Sequence, residues 1–310
     1  MTEISTAPVA IFAFNRPEML RRLIDSLLTC DLSDRTHFVF FVDGPRHERD
    51  VAAVDEVIAI ASSSRLVSSE VRASKTNLGL RRSVYGGVGA LVNSYGCVIA
   101  LEDDLVLSPI ALRYFNEALV RYADEESIWS ICGYLWDVPQ IASHPTALVL
   151  PISHSWGWAT WKRAWDKFEL DARPSKVNLE SKTFRDLFDV HGLYSFTDMM
   201  QASIAKRVSS WYAHWNYTLF QHGGRSIFPP RRVLDNIGIG AGTHGGFLNP
   251  YRLLINTPPP LLEAIPKMPE IDEVDYWAID LLRASREMRA QRAIMFAGNM
   301  KRIIRSKLGL

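Results

Sequence analysis

The first hundred residues alternate between the hydrophobic patterns of buried strands and of amphipathic helices. Apolar runs at residues 9–14 and 37–42 each stop at turn-forming residues and therefore predict strands. Between them, apolar positions from Met19 to Leu28 recur at helical spacing and predict a helix. Further patterns predict, in order, a helix, a short strand, a helix and a strand at residues 50–61, 70–72, 80–92 and 96–101. This alternation predicts a mostly parallel α/β sheet with helices on both faces.

The second half of the chain has a less regular pattern. We predict strands at residues 147–152 and 226–230, a helix at 184–208, and an aromatic helical segment at 211–222. Six prolines between Pro250 and Pro269 predict an extended connector. The chain is thus divided into a domain at 1–249, with halves at 1–105 and 106–249, a proline-rich connector at 250–270 and a basic helical tail at 271–310.

Composition narrows the class of protein. The 310 residues carry a net charge of +1, so no overall charge draws the chain to nucleic acid, and we expect no nucleic-acid partner. Three cysteines, Cys30, Cys97 and Cys132, lie in or beside apolar runs, which favours reduced thiols in a cytoplasmic protein. The first eight residues are polar, the next apolar run is too short for an export signal, and no run is long enough for a transmembrane helix.

Three consecutive acids, Glu102, Asp103 and Asp104, follow the predicted strand at 96–101. Negative charge at a sheet edge is costly unless a positive partner binds there, and hard oxygen ligands suit Mn²⁺ or Mg²⁺. The alternative is a polar turn before the next helix. Arg16 and Asp43 also follow predicted strands, and ligands of parallel sheets bind at such strand ends. The sequence therefore predicts a site at this edge.

With Asp43 ending an earlier strand, the triplet resembles the metal-binding motif of the GT-A nucleotide-sugar glycosyltransferases. Its Glu-Asp-Asp form is similar to that of the inverting N-acetylglucosaminyltransferase I-like group and its bacterial relatives. Gly157-Trp158 with Trp161 resembles the acceptor-side Gly-Trp segment of that group, and residues 240–246 resemble its late Gly-x-x-His loop. The resemblance implies a GT-A fold, with residues 1–105 as the nucleotide-binding half and 106–249 as the acceptor-side half.

The resemblance also implies roles for the acids. Asp104 would be the direct metal ligand. Asp103 would contact the ribose or sugar hydroxyls, and Glu102 would contact the donor sugar or a neighbouring cation. Asp43 resembles the aspartate that accepts a hydrogen bond from the N3–H of uracil; a turn-forming role before Gly44-Pro45 is the alternative.

Other residues are expected around the same nucleotide-sugar donor. Phe14 and Arg16, at the end of the first strand, would both contact the donor. Arg16 would pair with the diphosphate or stack on the base, unless it is a solvated charge at a helix start. Asn77 begins an Asn-x-Gly segment typical of GT-A enzymes, after which Arg81 or Arg82 would meet phosphate.

His244 and a group of tryptophans have two interpretations each. His244, among glycines, would complete the metal or diphosphate contacts, or it is an exposed loop residue. Trp156, Trp158 and Trp161 would form a stacking platform for a sugar ring, or they pack in the core.

The catalytic base is the least determined part of the site. An inverting transferase needs a group that deprotonates the acceptor hydroxyl. The family places an acid between tryptophans, but residues 211–215 of this chain contain none. Asp198 and His214 are the two candidates, and a structural role for either leaves open an altered or absent activity.

We therefore expect a metal-dependent, inverting glycosyltransferase that moves a sugar from a UDP-sugar to a glycan or lipid-linked acceptor in bacterial surface polysaccharide synthesis. A sugar nucleotidyltransferase is an alternative, although the loop at 13–17 lacks the glycines typical of that class. A non-catalytic nucleotide- or glycan-binding relative is another. Residues 281–310 carry eight Lys or Arg and one acid, which predicts either peripheral contact with the inner face of the plasma membrane or a solvated helix packed on the body.

Overall fold

A computed structural model of the chain describes residues 6–238, 260–285 and 288–289. Ten strands lie in these residues: β1 (Val9–Ala13), β2 (His37–Val42), β3 (Ser68–Ala73), β4 (Cys97–Glu102), β5 (Leu105–Leu107), β6 (Ile128–Cys132), β7 (Leu148–Leu150), β8 (Trp158–Trp161), β9 (Arg225–Phe228) and β10 (Leu234–Asn236). Eight of them form one sheet in the order β3-β2-β1-β4-β8-β6-β9-β7, and β5 pairs with β10 in a separate ribbon. Within the large sheet, only β8 and β7 run against the other strands.

The helices of the described residues are α1 (Pro17–Leu28), α2 (Val51–Ser62), α3 (Leu80–Tyr95), α4 (Ala111–Arg121), α5 (Pro139–Ala142), α6 (Lys162–Trp165), α7 (Lys176–Glu180), α8 (Lys182–Phe188), α9 (Phe196–Ile204), α10 (Trp211–Gln221) and α11 (Tyr276–Ala284). Right-handed crossovers place α1 and α2 on one face of the sheet and α3 on the other. Accordingly α1 contacts α2, while α3 contacts α10. The predicted fold class, a mixed and mostly parallel sheet flanked by helices, is confirmed.

The order of the strands positions the site. The chain builds β1, β2 and β3 outward in one direction and then returns to place β4 on the other side of β1. Ligands of such sheets bind beyond the carboxyl ends of the strands, where the strand order reverses. Here that place lies between the ends of β1 and β4. We call the edge where β1, β2, β4, β6 and β9 end the carboxyl edge.

Two parts of the second half differ from the sequence-based expectation. The helix predicted at 184–208 is two helices, α8 and α9, because Val190, His191 and Gly192 adopt positive φ angles of 49°, 53° and 78° and turn the chain between them. Residues 158–161, which we interpreted as an acceptor-side segment whose tryptophans stack on a sugar or pack in the core, form strand β8 at the centre of the sheet. Their Trp-Ala-Thr-Trp sequence is buried on both faces, so it lacks the alternation that marks a half-exposed strand.

The described part of the C-terminal region packs on the sheet. Residues 260–270 contain no helix, and Thr146 and Lys267 form an isolated bridge. Asp275 then covers the edge strand β7, since its carboxylate accepts from the Val149 N–H at 2.8 Å and its own N–H donates to the Val149 carbonyl at 2.9 Å. Helix α11 follows and buries Ile279 and Leu282. No helix in residues 6–238, 260–285 and 288–289 is both long enough and apolar enough to cross a membrane.

Candidate functional site

The acidic triplet lies at the carboxyl edge beside the end of β1. Glu102 is the last residue of β4 and is in register with Phe12 of β1. The Asp103 N–H continues this pairing by donating to the Phe12 carbonyl at 3.0 Å. The Asp104 carbonyl accepts from the Ile237 N–H at 2.9 Å, so the triplet is held between two backbone segments. The backbone fixes where these carboxylates project.

Arg16 joins the two aspartates. Its Nη1 donates to Asp104 Oδ2 at 2.8 Å, and its Nη2 donates to Asp103 Oδ1. The side chain of Arg16 is 30% exposed, whereas those of Asp103 and Asp104 are 1% and 9% exposed. Arg16 immediately precedes α1, which begins at Pro17, so the turn after β1 brings the guanidinium over the end of β4. The structure thus brings together Arg16 and the triplet, as the strand ends predicted.

Three carboxyl groups share one guanidinium at this edge. Burial raises the pKa of Glu102 to about 8, and repulsion from Asp104 adds to the shift while Arg16 opposes it. Burial also raises the pKa of Asp103 to about 6, with Arg16 again opposing. For Arg16 the effect of burial is to lower the pKa, but attraction to Asp103 and Asp104 outweighs it, so the pKa rises and the guanidinium stays charged. At neutral pH Glu102 therefore keeps its proton for most of the time, and a cation bound beside it would favour the ionised form.

The residues fit a divalent cation in their chemistry and their charge. With all three carboxyl groups ionised, Glu102, Asp103, Asp104 and Arg16 sum to −2, the charge that Mn²⁺ or Mg²⁺ would neutralise. In the part of the chain that the structure describes, no three His, Cys, Asp or Glu side chains already converge as a metal site. Arg16 instead donates to both aspartates, so a cation at Asp104 would compete with this guanidinium.

Asn236 is a site residue that the sequence did not identify. Its Nδ2 donates to Asp104 Oδ1 at 3.2 Å, and its Oδ1 accepts from the Gly238 N–H at 2.9 Å. A Cβ on Gly238 would contact the Asp104 side chain. Asn236 ends β10, whose pairing with β5 brings it to the triplet across 132 positions in the sequence. The only sequence signal was its position a few residues before the Gly-x-x-His segment at 240–246.

Asp43 lies at the carboxyl edge but faces protein donors. Its carboxylate accepts from the N–H groups of Gly44, Leu78 and Gly79 and from the side chain of Asn77. The side chain of Asn77 is correspondingly held, because its Nδ2 also donates to the Gly44 carbonyl at 2.7 Å. The predicted contact of Asp43 with uracil therefore has no free acceptor in this structure.

The neighbouring donor-site candidates occupy different positions. Phe14 is half-buried at the end of β1, with the Arg46 guanidinium 4.6 Å from its ring centroid, and its N–H lies 3.4 Å from Asp103 Oδ2. Arg81 is bonded to residues outside the acid triplet. Its Nη2 donates to the Leu170 carbonyl at 2.5 Å and to Asp171 at 2.9 Å. Arg81 thus ties α3 to the segment after α6.

The tryptophans form an internal cluster. Trp158 is 2% exposed, and its ring stacks on Trp211 with centroids 5.1 Å apart, while Trp165 and Trp215 lie within 6.0 Å of it. A buried ring whose faces contact other rings cannot also present a face to a sugar. The packing interpretation therefore holds for Trp158. Trp156 is half-buried and its ring centroid lies 4.7 Å from that of Tyr134, nearer the carboxyl edge.

The two candidates for the base differ in their surroundings. His214 is buried; its Nδ1 lies 2.6 Å from the Ala172 carbonyl and its Nε2 lies 2.8 Å from Ser203 Oγ. A carbonyl can only accept, so Nδ1 carries the proton and Nε2 accepts from Ser203. Burial lowers the pKa of His214, and the ring is neutral. Asp198 is half-buried in the first turn of α9. His244 lies outside the described residues.

Comparison with known proteins gives structural likeness only. No family model matches the chain, and no curated protein matches it. The mannosyltransferase PcManGT from Pyrobaculum calidifontis, solved with GDP-Man and Mn²⁺, is 11% identical over 71% of this chain and 72% of that chain, with a TM-score of 0.39. GalNAc-T7, solved with UDP, GalNAc and Mn²⁺, is 12% identical over 76% of this chain and 44% of that chain, with a TM-score of 0.45. TarS from S. aureus is 13% identical over 61% of this chain and 33% of that chain, with a TM-score of 0.37. Likeness at this level assigns no role to any residue.

Proposed function

We propose that the chain is a glycosyltransferase that transfers a sugar from a nucleotide-sugar to a hydroxyl acceptor with the help of a divalent cation. The observation that carries this proposal is the cluster of three adjacent carboxyl groups, two of them paired with the single guanidinium of Arg16, at the carboxyl edge beside the point where the strand order reverses. A divalent cation and a donor diphosphate would suit such a place, because carboxylates are ligands that would hold the cation and the cation would offset the charge of the phosphates.

Asp104 would hold the cation, which neutralises charge on the departing nucleoside diphosphate. Asn236 orients the Asp104 carboxylate through the bond to Oδ1, and Arg16 neutralises part of its charge through Oδ2. With a cation held at Asp104, Arg16 would be able to turn toward the diphosphate, since its planar donors suit phosphate oxygens. Asp103 and Glu102 would then face the donor sugar, as the resemblance implies.

Asp198 is the better candidate for the base that deprotonates the acceptor. Both ring nitrogens of His214 are already bonded to Ala172 and Ser203, which leaves no ring nitrogen to take the proton of an acceptor hydroxyl. Asp198 is half-buried in the first turn of α9 and is an acid by nature, although its place relative to a bound acceptor stays a prediction.

The finer parts of the proposal rest on the sequence. A UDP-sugar donor, inversion at the anomeric carbon, a glycan or lipid-linked acceptor and a role in bacterial surface polysaccharide synthesis follow from the resemblance to GT-A enzymes. Cytoplasmic location and peripheral membrane contact through the basic tail also stay predictions. In the described part of that tail, Arg283 donates to Asp280 and to the His191 carbonyl, and Arg289 donates to the Ala284 carbonyl.

The proposed activity is tested by slow hydrolysis of nucleotide-sugars, in which water replaces the unknown acceptor. Wild type with Mn²⁺ should release UDP from at least one of a panel of UDP-sugars, and EDTA should abolish the release. Asp198→Asn should lower the rate by roughly 100-fold or more, because general-base catalysis contributes about that much. His214→Gln, with thermal unfolding as a check on folding, is the matched variant. Hydrolysis that survives Asp198→Asn but is lost in a folded His214→Gln would reverse the choice of base.

A further inference from the structure

Donors of the protein itself occupy the acceptor positions of the Asp43 carboxylate. Oδ1 accepts from the N–H groups of Gly44 at 3.0 Å and Leu78 at 2.7 Å, and Oδ2 accepts from the Gly79 N–H at 2.8 Å and from Asn77 Nδ2 at 3.0 Å. An ionised carboxylate offers about four lone-pair positions. Asp43 is also buried, at 7% exposure. No acceptor position remains for the N–H of a nucleobase.

Three of these four bonds, those from Asn77, Leu78 and Gly79, hold a turn against the end of β2. Residues 76–79 lead into α3, and Gly79 has the positive φ of 77° that lets the chain enter the helix here. Gly44 packs so closely on this turn that a Cβ would lie 2.5 Å from the backbone carbonyl carbon of Thr76. We call residues 76–79 the Asn77 turn. Asp43 supplies the acceptors that fold the turn, and Gly44 supplies the space.

This turn is connected to the acid triplet through β1. The Asp43 N–H donates to the Ala13 carbonyl at 2.9 Å, so the end of β2 is bonded to the end of β1. The next residue, Phe14, carries the N–H that lies near Asp103. The Asn77 turn, Phe14 and the acids therefore belong to one bonded edge, and displacing the turn shifts the surface on which a nucleotide would lie.

We propose that Asp43 is a positioning residue that shapes the nucleotide site by folding the Asn77 turn, and that it does not select the base of a nucleoside diphosphate. This inference rests on the proposed function, since it presumes that the edge binds a nucleotide. Loss of Asp43 then weakens the binding of every nucleoside diphosphate by the same factor. A carboxylate that reads uracil would instead affect UDP far more than GDP.

The test measures dissociation constants of UDP, CDP and GDP with Mn²⁺ by calorimetry, below the unfolding temperature of every variant. Asp43→Asn replaces two acceptor positions by an NH₂ group that faces the donors of Asn77 and Gly79. Gly44→Ala displaces the turn while leaving the Asp43 carboxylate in place, and so tests the turn independently. Gly86→Ala is the matched control, because a Cβ at Gly86 in α3 meets nothing within 4 Å.

We expect Asp43→Asn and Gly44→Ala each to weaken all three nucleotides by about tenfold or more, with the UDP-to-GDP ratio unchanged within about twofold, and Gly86→Ala to bind as wild type does. Amide exchange at Leu78 and Gly79 should accelerate in the first two variants, which reports the loosened turn directly. Selective loss of UDP in Asp43→Asn, or wild-type affinity in Gly44→Ala, would overturn the inference and leave the proposed function standing. Absence of nucleotide binding in wild type would instead remove the proposed function and this inference with it. If Asp43→Asn does not fold, Asn77→Ala decides the question, because it loosens the turn and frees one acceptor position of Asp43 Oδ2. Equal weakening of all three nucleotides then supports the inference, and a selective change for UDP overturns it.

Discussion

Replacing Arg16 by glutamine should destabilise the protein through the two aspartates that it leaves behind. In wild type the guanidinium donates to both Asp103 and Asp104. A glutamine side chain at this position would carry no charge and could not reach both carboxylates with parallel donors. Asp103 would keep only the weak bond from the Phe14 N–H at 3.4 Å, and Asp104 would keep the bond from Asn236 at 3.2 Å.

The magnitude follows from the burial of the three side chains. Removing one partner of a fully buried ion pair costs about 3–5 kcal/mol, whereas an exposed pair contributes about 0–1 kcal/mol. Asp103 and Asp104 are 1% and 9% exposed, but Arg16 is 30% exposed, so water screens the guanidinium in part. We expect Arg16→Gln to lower the free energy of unfolding by about 2–4 kcal/mol at pH 7.5 in EDTA.

Urea denaturation of wild type and Arg16→Gln measures this loss. Arg21→Gln is the matched control on the same helix, since the Arg21–Glu56 pair is 50% exposed on both sides and should change stability by less than about 1 kcal/mol. At pH 5 the deficit of Arg16→Gln should shrink, because burial raises the pKa of Asp103 to about 6 even with Arg16 present, and a protonated carboxyl has no charge to lose. Mn²⁺ should stabilise Arg16→Gln more than wild type. An Arg16→Gln variant as stable as Arg21→Gln at pH 7.5 would refute the reasoning.

Three further substitutions test other parts of the structure. Burial lowers the pKa of His154 to about 3, so the folded protein keeps this ring neutral while the unfolded chain takes up a proton below pH 6.5. When the pH falls from 7 to 4.5, wild type should therefore lose about 3 kcal/mol more of its free energy of unfolding than His154→Asn does, as measured by urea denaturation. Equal losses in the two proteins would contradict this. Gly238→Ala pushes on the Asp104 side chain and should weaken Mn²⁺–UDP binding roughly 10-fold to 100-fold by calorimetry, whereas unchanged affinity would remove Gly238 from the site. Trp158→Ala should lower the free energy of unfolding by about 3–5 kcal/mol, because the Trp158 ring is buried, whereas Trp277→Ala should lower it by less than about 1 kcal/mol, because Trp277 is exposed. Similar losses for the two variants in urea denaturation would contradict core packing of Trp158.

The regular part of the fold was predictable from the sequence because its signals are local. The strands seen at Val9–Ala13 and His37–Val42 are apolar runs bounded by turn residues, and the helix at Pro17–Leu28 has one apolar stripe. Strand ends of a parallel sheet meet at one edge, so the proximity of Arg16 to the triplet also followed from the pattern. That proximity is confirmed by the two ion pairs.

The features that the sequence did not predict depend on contacts between residues that are far apart in the sequence. Asn236 reaches Asp104 only because β10 pairs with β5, and no local pattern marks that pairing. The four donors of Asp43 come mostly from a turn 34 to 36 positions away, so the sequence could not separate a base-reading carboxylate from a turn-holding one. The sequence is equally consistent with Trp158 as a sugar platform and with Trp158 as a core residue, and only the rings packed against it distinguish the two.

The central claim is that the carboxyl edge binds a nucleotide together with a divalent cation through Asp104. Calorimetric titration of UDP into wild type and Asp104→Ala, each with Mn²⁺ and with EDTA, tests it most directly. The account predicts UDP binding in wild type that requires Mn²⁺, and loss of that binding in a folded Asp104→Ala. UDP binding that is equally tight in EDTA, or that survives Asp104→Ala unchanged, would contradict it.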